Sequence, residues 1–247
     1  MIGKMFDDEL LHAFMNNFYG YGNYQGNFWF IGMEEHCSGS FDEVQKRLNV
    51  WRDRGKRELD DLFDYHTELG LTEAFCNEKS KHNTWDKLIR ILFTANTDKL
   101  PTPDNVRIYR QKDWGRQNGN ECLLELFPLP SRSMKDWLYD KYSRLPSLVS
   151  RKQYSQAWSG PRIERLKKRL ETYQPKVVVF YSLKYREKYW ERIVGRPFTK
   201  TSEKLYVYRK AQTLFVVINH PSPPRRSLPD SYFDNAGQFI KSELSKR

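Results

Sequence analysis

The 247-residue chain has few cysteines and no long apolar run. Its three cysteines, Cys37, Cys76 and Cys122, form no Cys-x-x-Cys pair and are odd in number, which excludes a disulfide framework and a four-thiolate iron–sulfur cluster. The longest apolar runs contain four or five residues, whereas a membrane span needs about 20. Residues 1–11 also lack the apolar core of a signal peptide. These absences predict a cytoplasmic protein with no membrane partner.

Several motifs of cofactor and metal chemistry are absent as well. The sequence has no Walker loop and no Gly-x-Ser-x-Gly elbow. Gly20, Gly22 and Gly26 precede a predicted strand, whereas the glycines of the dinucleotide fingerprint follow one. His66 and Glu68 match a His-x-Glu zinc-deaminase signature, but the required Pro-Cys-x-x-Cys is missing. Because the five histidines show no metal-ligand spacing, we expect neither a cofactor nor a metal.

Positive charge is in excess and is unevenly distributed. The chain has 42 Lys plus Arg and 31 Asp plus Glu, a net charge of +11. Residues 131–226 hold 23 of the cations and 7 of the acids, so this region carries +16 and the remainder −5. Counterion release draws such a surface to polyphosphate, and aromatic side chains that can stack on bases lie between the cations: Tyr142, Tyr154, Trp158, Tyr185 and Trp190. The alternative is that the cations of residues 162–169 form the solvated face of a helix.

Short apolar runs alternate with segments of helical spacing. Strands are predicted at residues 28–31, 122–127, 176–181, 205–209 and 213–218, the last two as a hairpin. Helices are predicted at residues 6–15, 41–65, 84–93 and 161–173, and loops at residues 19–26, around Pro101 and Pro103, and at residues 111–120. This alternation predicts an α/β fold, a three-layer αβα sandwich with a mainly parallel sheet of four to five strands. With no repeat and no linker, residues 1–247 are expected to form one domain and a monomer.

Polar segments follow three of the predicted strands. Residues 32–36 read Gly-Met-Glu-Glu-His, residues 128–133 read Pro-Leu-Pro-Ser-Arg-Ser, and residues 219–226 read Asn-His-Pro-Ser-Pro-Pro-Arg-Arg. Ligands of open α/β sheets bind beyond the carboxyl ends of the strands. A glycine at a strand end lets the backbone turn sharply and direct the next carboxylate into that crevice. We therefore expect the three segments to share one rim.

These segments resemble motifs of the uracil-DNA glycosylase superfamily. Phe-Ile-Gly-Met-Glu-Glu-His at residues 30–36 is similar to the first motif, in which an acid or Asn after the strand handles water. Leu-Leu-Glu-Leu-Phe-Pro at residues 123–128 resembles the second strand, whose polar residue reads the flipped base. Asn-His-Pro-Ser-Pro at residues 219–223 resembles the last motif, whose histidine stabilises the departing base. The order and strand context agree with the family, and His-Pro-Ser after an apolar strand is the most specific of the three.

The resemblance implies a DNA glycosylase that hydrolyses the N-glycosidic bond of a flipped base in single- or double-stranded DNA. Such cleavage places positive charge on the sugar and negative charge on the base, so a carboxylate and a hydrogen-bond donor are needed. The predicted catalytic residues are Glu34, His220 and Glu35. The predicted base pocket contains Gly32, Met33, His36, Phe41, Glu125 and Asn219. The predicted DNA contacts are Ser131, Arg132, Ser133, Ser222, Arg225, Arg226 and Leu228.

Other interpretations of the catalytic residues stay open. Glu35 can be an acid that supports the site from behind or lies at the surface, and His220 can be a loop histidine that only caps its own segment. Where uracil enzymes have a leucine wedge, this chain has Pro224, Arg225 and Arg226. Leu228 can fill the gap left by a flipped nucleotide, or the arginines can clamp phosphates.

Glu125 departs from the family pattern and bears on the substrate. The uracil readers of the family have Asn at this place, which pairs with O4 and N3 of uracil. A carboxylate only accepts hydrogen bonds, so Glu125 suits an exocyclic amine such as N4 of cytosine. The sequence thus predicts a modified cytosine, as in phage genomes attacked by a defence enzyme; the alternative for Glu125 is a simple pair with an arginine.

Two further functions remain as alternatives to modified-cytosine excision. One is repair by excision of uracil, and the other is a catalytically silent DNA-binding module on the same fold. Adjacent acids in the first motif favour an enzyme, because carboxylates in a phosphate-binding groove weaken DNA binding.

Overall fold

The computed structural model describes residues 4–77, 79–133, 135–202, 204–222 and 228–246. The fold is α/β, an αβα sandwich around a mixed sheet whose strands are mostly parallel, as predicted. The sheet has eight described strands instead of four or five: β1 (Gly20–Gly22), β2 (Phe28–Gly32), β3 (Leu59–Asp60), β4 (Glu121–Glu125), β5 (Val177–Tyr181), β6 (Thr199–Ser202), β7 (Leu205–Lys210) and β8 (Thr213–Ile218). Their order is β3-β1-β4-β2-β5-β8-β7-β6.

Four parallel strands, β4, β2, β5 and β8, form the centre of the sheet. Every residue of β2, β5 and β8 is buried, which explains their nearly continuous apolar sequences in a sheet covered on both faces. In the register of the sheet, Phe30 lies opposite both Leu123 and Val179. Because the four strands run in one direction, their carboxyl ends meet at one edge.

The additional strands lie at the flanks. β1 pairs antiparallel with β4, and its glycines have left-handed backbone angles, with φ of +139° at Gly20 and +95° at Gly22. A Cβ on Gly20 would stand 2.0 Å from the Leu123 carbonyl oxygen. The expectation of an irregular loop was wrong at these residues, because the strand depends on close backbone approach at the two glycines, which no apolar alternation in the sequence reports.

The helices are α1 (Asp8–Asn17), α2 (Phe41–Asp53), α3 (Leu62–Leu69), α4 (Glu73–Cys76), α5 (Trp85–Asn96), α6 (Pro103–Lys112), α7 (Tyr139–Tyr142), α8 (Arg151–Tyr173), α9 (Glu191–Val194) and α10 (Asp230–Ser245). The helix predicted at residues 41–65 is interrupted, since Gly55 and Lys56 have positive φ values of 85° and 55°. α6 overlaps the loops predicted around Pro103 and at residues 111–120, which were wrong at residues 103, 111 and 112, and it begins with a capping box at Thr102.

α8 begins ten residues before the predicted start, at a Ser150 cap, and contains Pro161. In the described parts of the chain, no helix has both the length and the apolar character needed to cross a bilayer.

Candidate functional site

A cavity of about 700 Å³ opens at the carboxyl edge of the central strands. One wall comes from the strand ends: Glu34, Glu35 and His36 follow β2, Glu125 ends β4, Tyr181 ends β5 and His220 follows β8. The opposite wall comes from residues 71–74 and 80–85, which include the start of α4 and the start of α5. Residues from three segments that are distant in the sequence, Glu34, Glu125 and His220, thus face one space.

Gly32 is required by the close approach of two side chains from neighbouring strands. It lies opposite Glu125 in the register of β2 and β4. A Cβ at this position would stand 2.2 Å from the Tyr181 hydroxyl oxygen and 2.5 Å from Glu125 Oε2. The absence of a side chain here lets the tyrosine and the acid meet over the end of β2.

Glu125 and Tyr181 form a hydrogen-bonded pair on the floor of the cavity. The Tyr181 hydroxyl donates to Glu125 Oε1 over 2.7 Å, while Glu125 Oε2 is buried without a partner among the described residues. Burial, with the charges of Glu35 and Glu34, outweighs the opposing bond from Tyr181 and raises the pKa of Glu125 to about 8. The acid is therefore mostly protonated at neutral pH.

This environment corrects the expectation that Glu125 only accepts hydrogen bonds. An ionised carboxylate would only accept them, whereas the neutral carboxyl favoured here also donates one. The simple arginine pair is wrong too, because the Arg162 guanidinium donates to the backbone oxygen of Glu125 and not to its carboxylate.

Glu34 is held by an arginine and a serine. Arg151 Nη1 lies 2.9 Å from Oε1 and 2.7 Å from Oε2, and the Ser131 hydroxyl donates to Oε1 over 2.8 Å. Arg151, the first residue of α8, also lies over the Trp137 ring. These contacts fix the orientation of the Glu34 carboxylate at the cavity wall.

Glu35 has a separate set of partners. Its Oε1 lies 3.0 Å from Arg47 Nη1 and 3.3 Å from His66 Nε2, and its Oε2 accepts from the Tyr21 hydroxyl over 3.0 Å. Burial alone would raise the pKa of Glu35, but Arg47 and His66 outweigh burial and lower it to about 2. Glu35 is therefore an ionised acid tied to α2 and α3, not a free surface carboxylate.

His220 presents one ring nitrogen to its own segment. The Ser222 backbone N–H donates to His220 Nδ1 over 3.0 Å, and the ring lies edge-on to Tyr181 at 5.9 Å. Burial lowers the pKa of His220, so the ring is neutral at neutral pH. With Nδ1 accepting, its proton is on Nε2, which makes Nε2 a hydrogen-bond donor.

The opposite wall contains a stacked aromatic pair that the sequence did not reveal. The rings of His82 and Trp85 lie 3.7 Å apart and nearly parallel, and the Trp85 backbone N–H donates to His82 Nδ1. Burial, with help from Arg110, lowers the pKa of His82 to about 3. Arg110 also donates to the carbonyl oxygens of Ala74 and Ser80, and it pairs with Asp86. This one side chain therefore anchors the wall to α6.

Some predicted pocket residues lie elsewhere. Phe41 begins α2, and its ring packs on Phe6 at 4.6 Å and on Tyr142 at 4.9 Å instead of facing the cavity. Met33 and Asn219 are not among the cavity-lining residues. The Asn219 backbone N–H instead donates to the Tyr232 hydroxyl. His36 does line the cavity and is exposed.

The predicted DNA contacts are divided. Ser131 is buried and bound to Glu34, so its hydroxyl is used inside the protein. Arg132 and Ser133 are exposed beside it, and the Ser222 hydroxyl pairs with Thr84 over 3.1 Å. Leu228 lines a neighbouring cavity. Arg225 and Arg226 lie outside the described residues.

The site has no evident metal centre. Among the residues that the structure describes, no group of three or more His, Cys, Asp or Glu side chains is arranged to hold a metal ion. Four of the five histidines line the cavity. Their described ring nitrogen contacts are to protein groups: His66 Nδ1 to Leu62 and Nε2 to Glu35, His82 Nδ1 to Trp85, and His220 Nδ1 to Ser222.

No protein-family model and no curated protein matches this chain.

Proposed function

We propose that this protein is a DNA glycosylase that hydrolyses the N-glycosidic bond of a flipped cytosine-type base and leaves an abasic site. The observation that carries the proposal is the meeting of Glu34, Glu125 and His220 in one cavity at the carboxyl ends of parallel strands. These are the residues through which the sequence resembles the uracil-DNA glycosylase superfamily. The cavity volume, about 700 Å³, is typical of small-molecule sites and leaves room for a substituent on the base.

The two adjacent acids suit the sugar side of the reaction. Departure of the base leaves an oxocarbenium-like sugar, which a fixed negative charge stabilises. Glu34 is oriented by Arg151 and Ser131, and Glu35 by Arg47 and His66. An acid whose pKa is about 2, such as Glu35, is a weak base, so its contribution is charge. We assign the attacking water to Glu34.

His220 suits the base side. Its neutral ring carries a proton on Nε2, because Nδ1 accepts from Ser222. A donor at this place can bind the O2 carbonyl oxygen of a pyrimidine, where negative charge develops as the bond breaks. The ring contact with Tyr181 positions His220 beside the Glu125 pair.

Glu125 suits recognition of the base edge. A neutral carboxyl offers one hydroxyl donor and one carbonyl acceptor, which complement N3 and the N4 amine of cytosine. The same neutral carboxyl, with the proton on the other oxygen, also complements O4 and N3–H of uracil. Uracil is therefore the second candidate substrate, because the neutral carboxyl of Glu125 can pair with it as well.

The DNA partner is supported by cations beside the cavity. Lys81 lines the cavity and is exposed, and Arg132, Lys184 and Lys188 are exposed on segments that follow β4 and β5. Tyr185 lies among them, near enough to Glu34 and Arg151 for their charges to act on its hydroxyl. The biological setting that fits a cytosine-type substrate is the excision of modified cytosine from phage DNA. This reaction would take place in the cytoplasm.

Base release from defined oligonucleotides tests this function. The purified protein is incubated with single- and double-stranded oligonucleotides that carry uracil, cytosine, hydroxymethylcytosine or glucosylated hydroxymethylcytosine. Alkali cleavage then detects abasic sites, and mass spectrometry identifies the released base. We expect release of a cytosine derivative. Tight DNA binding without abasic sites would instead identify a silent binding module, and release of uracil alone would establish the second candidate.

A further inference from the structure

We propose that Glu125 is the acid that protonates N3 of the departing cytosine-type base, so that the base leaves as a neutral molecule. This role rests on the proposed function and deepens it, since it restricts the substrate to bases whose N3 carries no proton. It also gives Glu125 a part in bond cleavage beyond recognition of the base edge.

The geometry leaves one carboxyl oxygen of Glu125 for a ligand. Tyr181 occupies Oε1, while Oε2 is buried, lacks a partner among the described residues and belongs to a side chain that lines the cavity. A buried polar atom without a partner is destabilising and rare in folded proteins. A base with an acceptor at N3 supplies the missing partner.

The surroundings keep the proton on Glu125 until a base is bound. The charged and titratable groups that face it are Glu34 and Glu35 from the segment after β2, Tyr181 from β5, Arg162 from α8 and, beyond Tyr181, His220. Glu35 stays ionised because of Arg47 and His66, and Glu34 is ion-paired with Arg151. Burial disfavours the ionised form of Glu125, and a third negative charge beside these two acids is also unfavourable; together they raise the pKa of Glu125 to about 8.

The step balances in protons and electrons. The C1′–N1 bond breaks and its electron pair goes to N1, while the proton on Glu125 moves to N3 of the base. The oxygen of water bonds to C1′, and the proton released from that water returns to the Glu125 carboxylate through Glu34. The net products are the neutral base and an abasic sugar, and the enzyme is unchanged. Uracil already carries a proton on N3, so it gains nothing from this acid.

Replacement of Glu125 by glutamine separates recognition from proton transfer. In E125Q the amide retains one donor and one acceptor, but it has no proton to transfer. Binding of an uncleavable 2′-fluoro substrate analogue should stay near the wild-type level. The single-turnover rate of base release should fall by about 10²- to 10⁴-fold, the typical contribution of general acid catalysis. Unchanged release in E125Q, with wild-type release intact, would overturn the acid role alone.

The pH dependence of the rate gives a second readout. Wild-type base release should decline as pH rises through about 8, because Glu125 loses its proton there, and E125Q should lack this decline. Tyr181→Phe removes a hydrogen bond that favours the charged form of Glu125, so the decline should move to higher pH. A wild-type rate that is constant through this range would contradict the proposal.

Protein stability provides a readout that does not depend on activity. The pKa of Glu125 is about 8 in the folded state and 4.5 in the unfolded state. Glu125 therefore contributes its full stabilisation below pH 4.5, and this contribution is lost as the pH rises toward about 8. The urea midpoint of the wild type, relative to E125Q, should therefore decrease over this range. A difference that does not vary with pH would overturn the proposal. If the wild type released no base from any oligonucleotide, the glycosylase function would fail and the acid role with it.

Discussion

Glu34 and Glu35 are neighbours in the sequence but belong to different networks of side chains. Glu34 contacts Arg151 of α8, whereas Glu35 contacts Arg47 of α2 and His66 of α3. Consecutive residues after a strand point in different directions, so each acid meets a different element. The two positions can therefore be tested separately.

Replacement of Glu34 by glutamine should preserve the fold and DNA binding but slow base release by about 10²- to 10⁴-fold. The change removes the charge beside the sugar and keeps the shape of the side chain. Single-turnover kinetics measure the rate of base release, thermal unfolding measures the stability of the fold, and fluorescence anisotropy measures DNA binding. Glu164→Gln is the matched control, since Glu164 is an exposed acid on α8 that does not line the cavity. Equal rates in the two variants would remove Glu34 from the mechanism.

Gly32→Ala should abolish base release without any change in charge. The new Cβ would collide with the Tyr181 hydroxyl and the Glu125 carboxyl, at 2.2 and 2.5 Å, and would separate the pair. Gly160→Ala is the control, because a Cβ there meets nothing within 4 Å. Helix propensity favours the added methyl group, whereas Pro161, the next residue, disfavours helical backbone at a residue that has a Cβ. The free energy of unfolding should therefore change by no more than about 1 kcal/mol. Activity assays and urea denaturation of both variants check this pair, and full activity of Gly32→Ala would contradict the geometry.

At the scale of secondary-structure elements, α8 contains cations that form hydrogen bonds and ion pairs inside the protein. Arg162 is fully buried, lies 3.5 Å over the Tyr19 ring, and donates to the carbonyl oxygens of Phe18, Leu126 and Glu125. Arg169 pairs with Glu58 and Tyr24. The interpretation of residues 162–169 as a solvated cationic face is therefore wrong at these positions.

Arg162→Gln should lower the free energy of unfolding by about 2 kcal/mol or more. The shorter side chain leaves buried carbonyl groups without donors, and each such group costs about 1 to 3 kcal/mol. Lys168→Gln, at an exposed position of the same helix, should change the free energy by no more than about 0.5 kcal/mol. Urea denaturation of the two variants distinguishes them. Similar small effects would show that α8 does not depend on Arg162.

The sequence predicted the central strands and the position of the site better than their surroundings. Long apolar runs identify β2, β5 and β8 because both faces of these strands are buried. β3 pairs through only two residues, so its existence depends on tertiary contacts that no local pattern reports. The residues after the strands were predicted to meet, whereas Arg47, Arg151 and His82 join the site from helices or loops with no motif of their own. Tyr181 ends an apolar run at the same edge, and that position was the one available signal.

At the scale of the whole molecule, we expect the effect of a cation on DNA binding to depend on its position relative to the cavity. Lys176 and Lys184 flank the same strand, β5, at its amino and carboxyl ends, and both are exposed. The carboxyl end faces the cavity and the amino end faces the opposite edge of the sheet. The two lysines therefore form a natural comparison for DNA binding.

Lys184→Glu should weaken DNA binding for every sequence alike and reduce the slope of log affinity against log salt by about 0.7 to 0.9 for each phosphate that is no longer neutralised. Lys176→Glu introduces the same charge change at the far edge and should leave both quantities close to the wild-type values. Fluorescence anisotropy over a salt series measures the slope. Equal effects in the two variants would mean that binding responds to total charge and not to this edge.

The two walls of the cavity have separate origins in the chain, and this separation bears on how the protein can evolve. The acids and His220 stand at the ends of buried strands, where substitutions disturb the core. The opposite wall, residues 71–74 and 80–85, is held by Arg110 in part through the backbone carbonyl groups of Ala74 and Ser80, which any amino acid supplies. Side chains of that wall can therefore vary while their backbone stays anchored. Under the proposed glycosylase function, substitutions in that wall would change which substituent on the base is accommodated and would leave the acids and His220 unchanged.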